Sequence, residues 1–312
     1  MLHLGIIIIL SIAIFWTIVP PRADIPSHLL GHPILNIKNM VPKDIGAKLN
    51  TILREMREFP TNINADLKTG YSGCAEDIGE NAAILPNGQC DDPYTVPNIN
   101  RTHCIYPQRI DVGKHFLLTG GPDAIRENIK DMTSRVQSFA RYLTGASLEK
   151  YSIIKELFYS DKFMKAAQTI CPADQQVLDP FQFTVLIQIP GQTVATHLDA
   201  PYFWGAGRCN IPQWLLASMK FSGLFEDIFI NQVQVVSYLH DWQPKDKPGV
   251  GSDFIYYLNK DGVLGSLMPE PLSGNLVDGS KVVHAATIYY PDRQAPFLDK
   301  DQFIQLEYAG DE

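Results

Sequence analysis

The chain has 312 residues, 45% of them hydrophobic and 19% charged, with a formal net charge of −8. That supplies a full globular core, as one large domain or one domain behind an N-terminal extension. The acidic balance and the lack of any Lys/Arg block argue against a nucleic-acid partner, whose phosphates need a concentrated basic surface.

Residues 1–23, MLHLGIIIILSIAIFWTIVPPRA, hold an apolar run from 4 to 19 that ends at Pro20 and Pro21. Its length falls between a signal h-region of roughly 7–15 residues and a spanning helix of roughly 20. The segment is read as a signal peptide or signal anchor, which places the chain in the secretory pathway and touches membrane only there. Residues 24–45 read as a linker and 46–180 as a helical and Cys-containing support region. Within the latter, Cys74, Cys90 and Cys104 punctuate a Gly- and Pro-rich stretch, the pattern of a disulfide-stapled segment in an oxidising compartment. Asn100-Arg101-Thr102 in the same stretch is a glycosylation acceptor triplet. Five cysteines cannot all pair within one chain, so at least one, with Cys171 and Cys209 among the choices, is left over.

Helical signals follow at ILREMREF (52–59) and at DAIRENIKDMTSRVQSFARYLTG (123–145), which has apolar residues at helical spacing and Gly145 as a stop. LEKYSIIKELFYSDKFMKAAQTI (148–170) predicts two short helices divided near Ser160 and Asp161. From Phe181 the period changes. FQFTVLIQI, TVATHLD, WLLASMKFS, QVQVVSYLHDW, DFIYYLN, KVVHAATIYY and QFIQLEYA predict about seven strands, most of them separated by Pro, Gly, Asn or Asp. Helices first and strands afterwards make an α+β protein. Residues 181–312 would form a sandwich or jelly-roll barrel buttressed by the N-terminal helices.

The chemistry concentrates in TVATHLDAPYFWG (193–205). Along a strand, i and i+2 face the same side, so His197 and Asp199 would present an imidazole and a carboxylate together. A third ligand must come from another strand, and within the β half only His240 and His284 remain. Two His and one carboxylate, with positions left open, are the ligand set of non-haem Fe(II) oxygenases. An isolated H-x-D is more often a hydrogen-bonded pair at a strand end.

The surrounding order supplies context. Gln188-Ile189-Pro190-Gly191-Gln192 before Thr196-His197-Leu198-Asp199, then QVQVVSYLHDW, GSDFIYY with Ser252 in place of a second Gly, and PEPLSGNLVDGSKVVHAA, resembles the 2-oxoglutarate/Fe(II)-dependent dioxygenases. The likeness is to their prolyl 4-hydroxylase-like branch, over about residues 180–308. It implies a double-stranded β-helix core and a metal site of His197, Asp199 and His284. Fe(II) and 2-oxoglutarate would serve as cofactor and cosubstrate, with ascorbate as accessory reductant. Either Arg293 or Lys300 would hold the far carboxylate of 2-oxoglutarate. The family's basic residue lies on the last barrel strand, whereas Arg293 stands in a loop here. Arg offers two parallel N–H bonds to a carboxylate and Lys a point charge. Gln188, where the related motif often has Tyr, would also touch the cosubstrate, and Tyr202, Trp204 and Arg208 would line the substrate mouth. The expected activity is hydroxylation of a peptidyl or small-molecule substrate with release of succinate and CO2. A non-catalytic jelly-roll ectodomain that binds a ligand or glycan is the alternative, and a cupin-type metalloenzyme independent of 2-oxoglutarate is a third.

Overall fold

The computed structural model describes residues 31–32, 34–61, 82–90, 96–97, 102–105, 134, 138–144, 148–194, 196–207, 211, 213–257, 264–298 and 304–310. In chain order the N-terminal elements are β1 (Leu35–Ile37), α1 (Lys43–Met56), β2 (Glu58–Pro60), β3 (Ala82–Ala83), β4 (Val96–Pro97), β5 (His103–Ile105) and β6 (Phe139–Thr144). Then come α2 (Ser152–Phe158), α3 (Asp161–Ile170), β7 (Gln182–Ile187), β8 (Tyr202–Phe203), α4 (Gln213–Ser222), β9 (Phe229–Ile230) and β10 (Gln234–Ser237). The last are β11 (Phe254–Tyr257), β12 (Leu264–Leu267), β13 (Gly274–Val277), β14 (His284–Ala286) and β15 (Gln305–Glu307).

The helices form for local reasons. In α1 the apolar residues Ile45, Leu49, Ile52 and Met56 recur at helical spacing and bury against Ile153, Ile154 and Leu157 of α2. Ser160 caps α3, its hydroxyl accepting from the Phe163 amide at 3.4 Å, so the division expected near Ser160 is a real helix start.

Every strand pair is antiparallel, in agreement with an α+β protein, but among the described residues the strands make six sheets of two or three strands and none closes into a barrel. Two three-stranded sheets matter for the site: β1-β13-β10 and β12-β11-β14. Alternation along the first sheet sends Leu276 and Val235 to one side, against Met40, Ala166, Ala167 and Ile170, with α3 as cover. Val277 and Val236 go to the other side, where they pack on Phe254, Tyr256 and Leu267 of the second sheet.

Three expectations are corrected. Residues 139–144, the end of the expected helix 123–145, are strand β6. A six-residue ladder with β7, Phe139 opposite Ile187 through Thr144 opposite Gln182, overrides their helical period. Of the earlier part of that segment, only Ser134 and Ser138 are described. WLLASMKFS is helix α4 rather than a strand: it contains no β-branched residue, and Leu, Met, Ala and Lys are good helix formers. TVATHLD and KVVHAATIYY are mostly irregular, with regular pairing confined to His197 and to β14.

Leu35–Ile37, in the segment read as a linker, is an edge strand on β13. Cys90 and Cys104 form a disulfide that ties β5 to the loop after β3, while Cys171 is free and Cys74 and Cys209 lie outside the described residues. Residues 1–23, Asn100 and Arg101 also lie outside them. No described helix is long and apolar enough to cross a membrane.

Candidate metal centre

His197 and His284 stand directly opposite each other as an isolated antiparallel bridge. The His197 amide donates to the His284 carbonyl at 2.9 Å, and the His284 amide returns the bond at 3.0 Å. Residues paired in this way share a face, and the two rings lie 4.3 Å apart between centroids. Two residues along, the Asp199 amide donates to the Gly279 carbonyl at 2.8 Å, which returns the Asp199 side chain to the same face. The ligand atoms of His197, Asp199 and His284 all lie within 4.8 Å of one another, and His197 Nε2 is 3.6 Å from Asp199 Oδ1. Both histidines are buried, whereas the Asp199 side chain keeps 28% of its surface exposed. The cluster is therefore walled on the protein side and open at the carboxylate.

The turn that delivers His284 is built on Asp278, whose carboxylate accepts from the Ser280 amide at 3.1 Å and from the Ser280 hydroxyl. Lys281 closes it, its ammonium 3.4 Å from Asp278 Oδ2 and bonded to Asn231. The His284 ring is set from three sides. Phe254 stacks on it at 5.6 Å, Nδ1 lies 2.8 Å from the Val282 carbonyl, and the Gln234 amide nitrogen lies 2.9 Å from Nε2. A carbonyl only accepts, so Nδ1 carries the proton and the Nε2 lone pair faces the cluster. Gly279 completes the cradle. A Cβ there would fall on the Asp199 carboxylate and stand 2.8 Å from Gln234 Nε2. Two imidazole nitrogens, one carboxylate and a backbone hollowed to admit them fit a divalent transition metal.

Asp199 is joined to β10 by residues 200–233, which carry a small core of Phe203, Leu216 and Phe229. Lys220 is 3% exposed within this unit, 3.1 Å from Glu226 Oε1 and 3.5 Å from the Phe229 ring centroid. Burial lowers its pKa and the bond to Glu226 opposes that shift. The unfolded chain therefore holds this proton more tightly than the folded one, so stability rises with pH between the lowered value and the ordinary lysine value of about 10.4. In melts taken from pH 7 to 10.5, Lys220→Met should lose that rise. Its Tm at pH 7 should equal or exceed the parent's, because the desolvated charge is removed while Glu226, whose side chain is 47% exposed, is left in contact with water rather than as a buried unpaired charge. A large drop would mean that the cation–π contact outweighs desolvation.

The remaining candidate residues are spread more widely. Gln188 lies just past β7, beside a turn in which Gly191 donates to the Tyr289 carbonyl at 2.7 Å; its Nε2 is buried without a hydrogen-bond partner. Arg293 is exposed, with its guanidinium 5.4 Å from the Tyr290 ring. Tyr202 is half-buried against Phe181 at 5.7 Å, and Trp204 is 76% exposed in the turn after β8. Arg208 and Lys300 lie outside the described residues. His240, which lies past the end of β10 at Ser237, is not in the cluster; its ring stacks on Trp242 at 3.8 Å. Gln234 and Gly279 were not singled out in the sequence. Gln234 follows the alternation of QVQVV inward, while Gly279 gave no signal beyond a turn.

No family model and no curated protein sequence matches the chain. Among solved structures it resembles a Pseudomonas putida prolyl-4-hydroxylase, at 12% identity over 85% of this chain and 90% of that one, with a TM-score of 0.34.

Proposed function

We propose that the chain is an Fe(II)- and 2-oxoglutarate-dependent oxygenase of the secretory pathway, built on a jelly-roll-related core. It hydroxylates a peptidyl or small-molecule substrate and releases succinate and CO2. The observation that carries this reading is the convergence of His197, Asp199 and His284, with ligand atoms within 4.8 Å of one another. In this reading the three side chains would hold the iron, and the iron with its keto acid would supply the oxidising chemistry when bound. The chain's own work is positional. The backbone bonds between His197 and His284 fix both imidazoles, and the Val282 carbonyl holds the proton on Nδ1 of His284. Phe254, Val277 and Val282 keep water from the inner side. Arg293 or Lys300 is assigned the far carboxylate of 2-oxoglutarate, with Gln188 as a second contact. Tyr202, Trp204 and Arg208 are assigned to the substrate mouth.

One contact favours the rival reading of a ligand- or glycan-binding ectodomain: Gln234 already satisfies the Nε2 of His284. The two readings separate in a succinate assay with Fe(II), ascorbate and 2-oxoglutarate. The parent should release succinate only when 2-oxoglutarate is present, and His197→Ala/Asp199→Ala should fall to background. A parent that binds neither Fe(II) nor 2-oxoglutarate leaves the ectodomain reading in place.

A further inference from the structure

The contact between Gln234 and His284 bears on how the centre is loaded. Gln234 opens β10, and its register opposite Val277 sends its side chain to the face shared with Val236 and the second sheet. From there the carboxamide reaches the space bounded by the His284 ring and the hollow at Gly279, where its nitrogen lies 2.9 Å from His284 Nε2. A carboxamide nitrogen only donates, and Nδ1 of the same ring already donates to the Val282 carbonyl at 2.8 Å. The amide proton therefore occupies the one ring lone pair directed at the cluster.

That lone pair cannot serve two partners. A transition-metal ion bonds an imidazole nitrogen at about 2.1 Å through that lone pair, and an amide that donates to it competes with the ion for it. Resting on the metal reading above, the geometry points to Gln234 as a built-in competitor for the metal site, a latch whose carboxamide must swing off His284 before a cation is held there. In the latched form the amide stands in for the cation: it presents a positive hydrogen to Nε2 and keeps the ring oriented by the Val282 and Gln234 bonds together. The latch is released by side-chain rotation alone, because β10 is held by its ladder to β13 through Gln234, Val235, Val236 and Ser237. Its effect falls on affinity, since the carboxamide and the cation compete for one lone pair. The centre is thereby set to bind its metal less tightly than its three ligands alone would allow.

The test is a calorimetric titration of the full chain with Co(II) alone, with the visible absorption of bound cobalt as a second readout. Gln234→Ala and the volume-conserving Gln234→Leu should both bind Co(II) about fivefold more tightly than the parent, the equivalent of one net hydrogen bond. A role in packing alone would move affinity the other way. Comparable thermal melts for Gln234→Leu and the parent would confirm that the same fold is being compared. Binding that appears only after Gln234 is replaced would also support the latch. Equal or weaker binding by both variants, beside a parent that does bind, overturns it while leaving the metal site standing. No binding by any of the three, all of them folded, overturns the metal reading and the latch with it.

Discussion

Gly279→Ala is expected to give a protein that folds and melts near the parent temperature yet binds Co(II) or Fe(II) at least about a hundredfold more weakly. The backbone of Gly279 does not need glycine, since no left-handed φ occurs there. Alanine can adopt the same conformation, and its smaller unfolded-state entropy offsets part of any strain. What alanine cannot have is the space. Its Cβ would fall on the Asp199 carboxylate, 2.8 Å from Cγ, and equally 2.8 Å from Gln234 Nε2. Asp199 is the partner that can yield, because its side chain is partly exposed and can turn toward solvent. Its amide keeps the 2.8 Å bond to the carbonyl of residue 279. The chain trace then survives and the carboxylate leaves the cluster. Loss of outer-sphere partners costs 10–100-fold in metal affinity, so loss of a ligand should cost at least the upper end of that range. Titration beside a thermal melt reads both halves of the expectation. Parent-like affinity in Gly279→Ala would remove Asp199 from the ligand set.

Of the three proposed ligands only the pair His197 and Asp199 has a local signal, two residues apart on the strand period; their reading as metal ligands and the choice of His284 over His240 came from the resemblance to the dioxygenases. The division of α2 from α3 was legible from a local signal too, since Ser160 caps its own helix. Elements that depend on distant partners were not. The FARYLT stretch has apolar residues that suit a helix, and only the ladder to residues 182–187 makes it a strand. WLLASMKFS is a short, mostly apolar stretch, where length and hydropathy do not separate a buried strand from a helix; burial of Leu216 against Phe203 and Phe229 stabilises the helical choice. Leu35–Ile37 looked like linker because its strand partner lies far along the chain at Gly274–Val277. Gln234 and Gly279 are hardest of all. One matters for where its amide ends and the other for a side chain it lacks, and neither is a property of residue type or spacing.

Leu276→Ala should do the reverse of Gly279→Ala, weakening the fold while leaving the metal affinity of the folded protein intact. Leu276 is fully buried at the centre of the β1-β13-β10 sheet, paired with Leu35 on one side and Val235 on the other. Its side chain packs on Met40, Ala166, Ala167 and Ile170, the face turned away from the metal cluster. Truncation removes three carbons from a close-packed site between a sheet and a helix, and such changes cost about 2–5 kcal/mol. Against a total stability of about 5–15 kcal/mol this is a large fraction, and at roughly 2–4 °C per kcal/mol for large domains the melt should fall by about 10 °C. The next residue, Val277, faces the other way, and it is the one that leads into the Asp278 turn and contacts the second sheet. Titration well below the melt should therefore return the parent Kd for Co(II). The pair of variants separates two statements that a single loss of activity would merge: that the sheets hold the chain together, and that the Asp278 turn holds the ligands. If Leu276→Ala weakened the metal as strongly as Gly279→Ala, the ligand geometry would be a consequence of general packing, and the hollow at Gly279 would carry no special role.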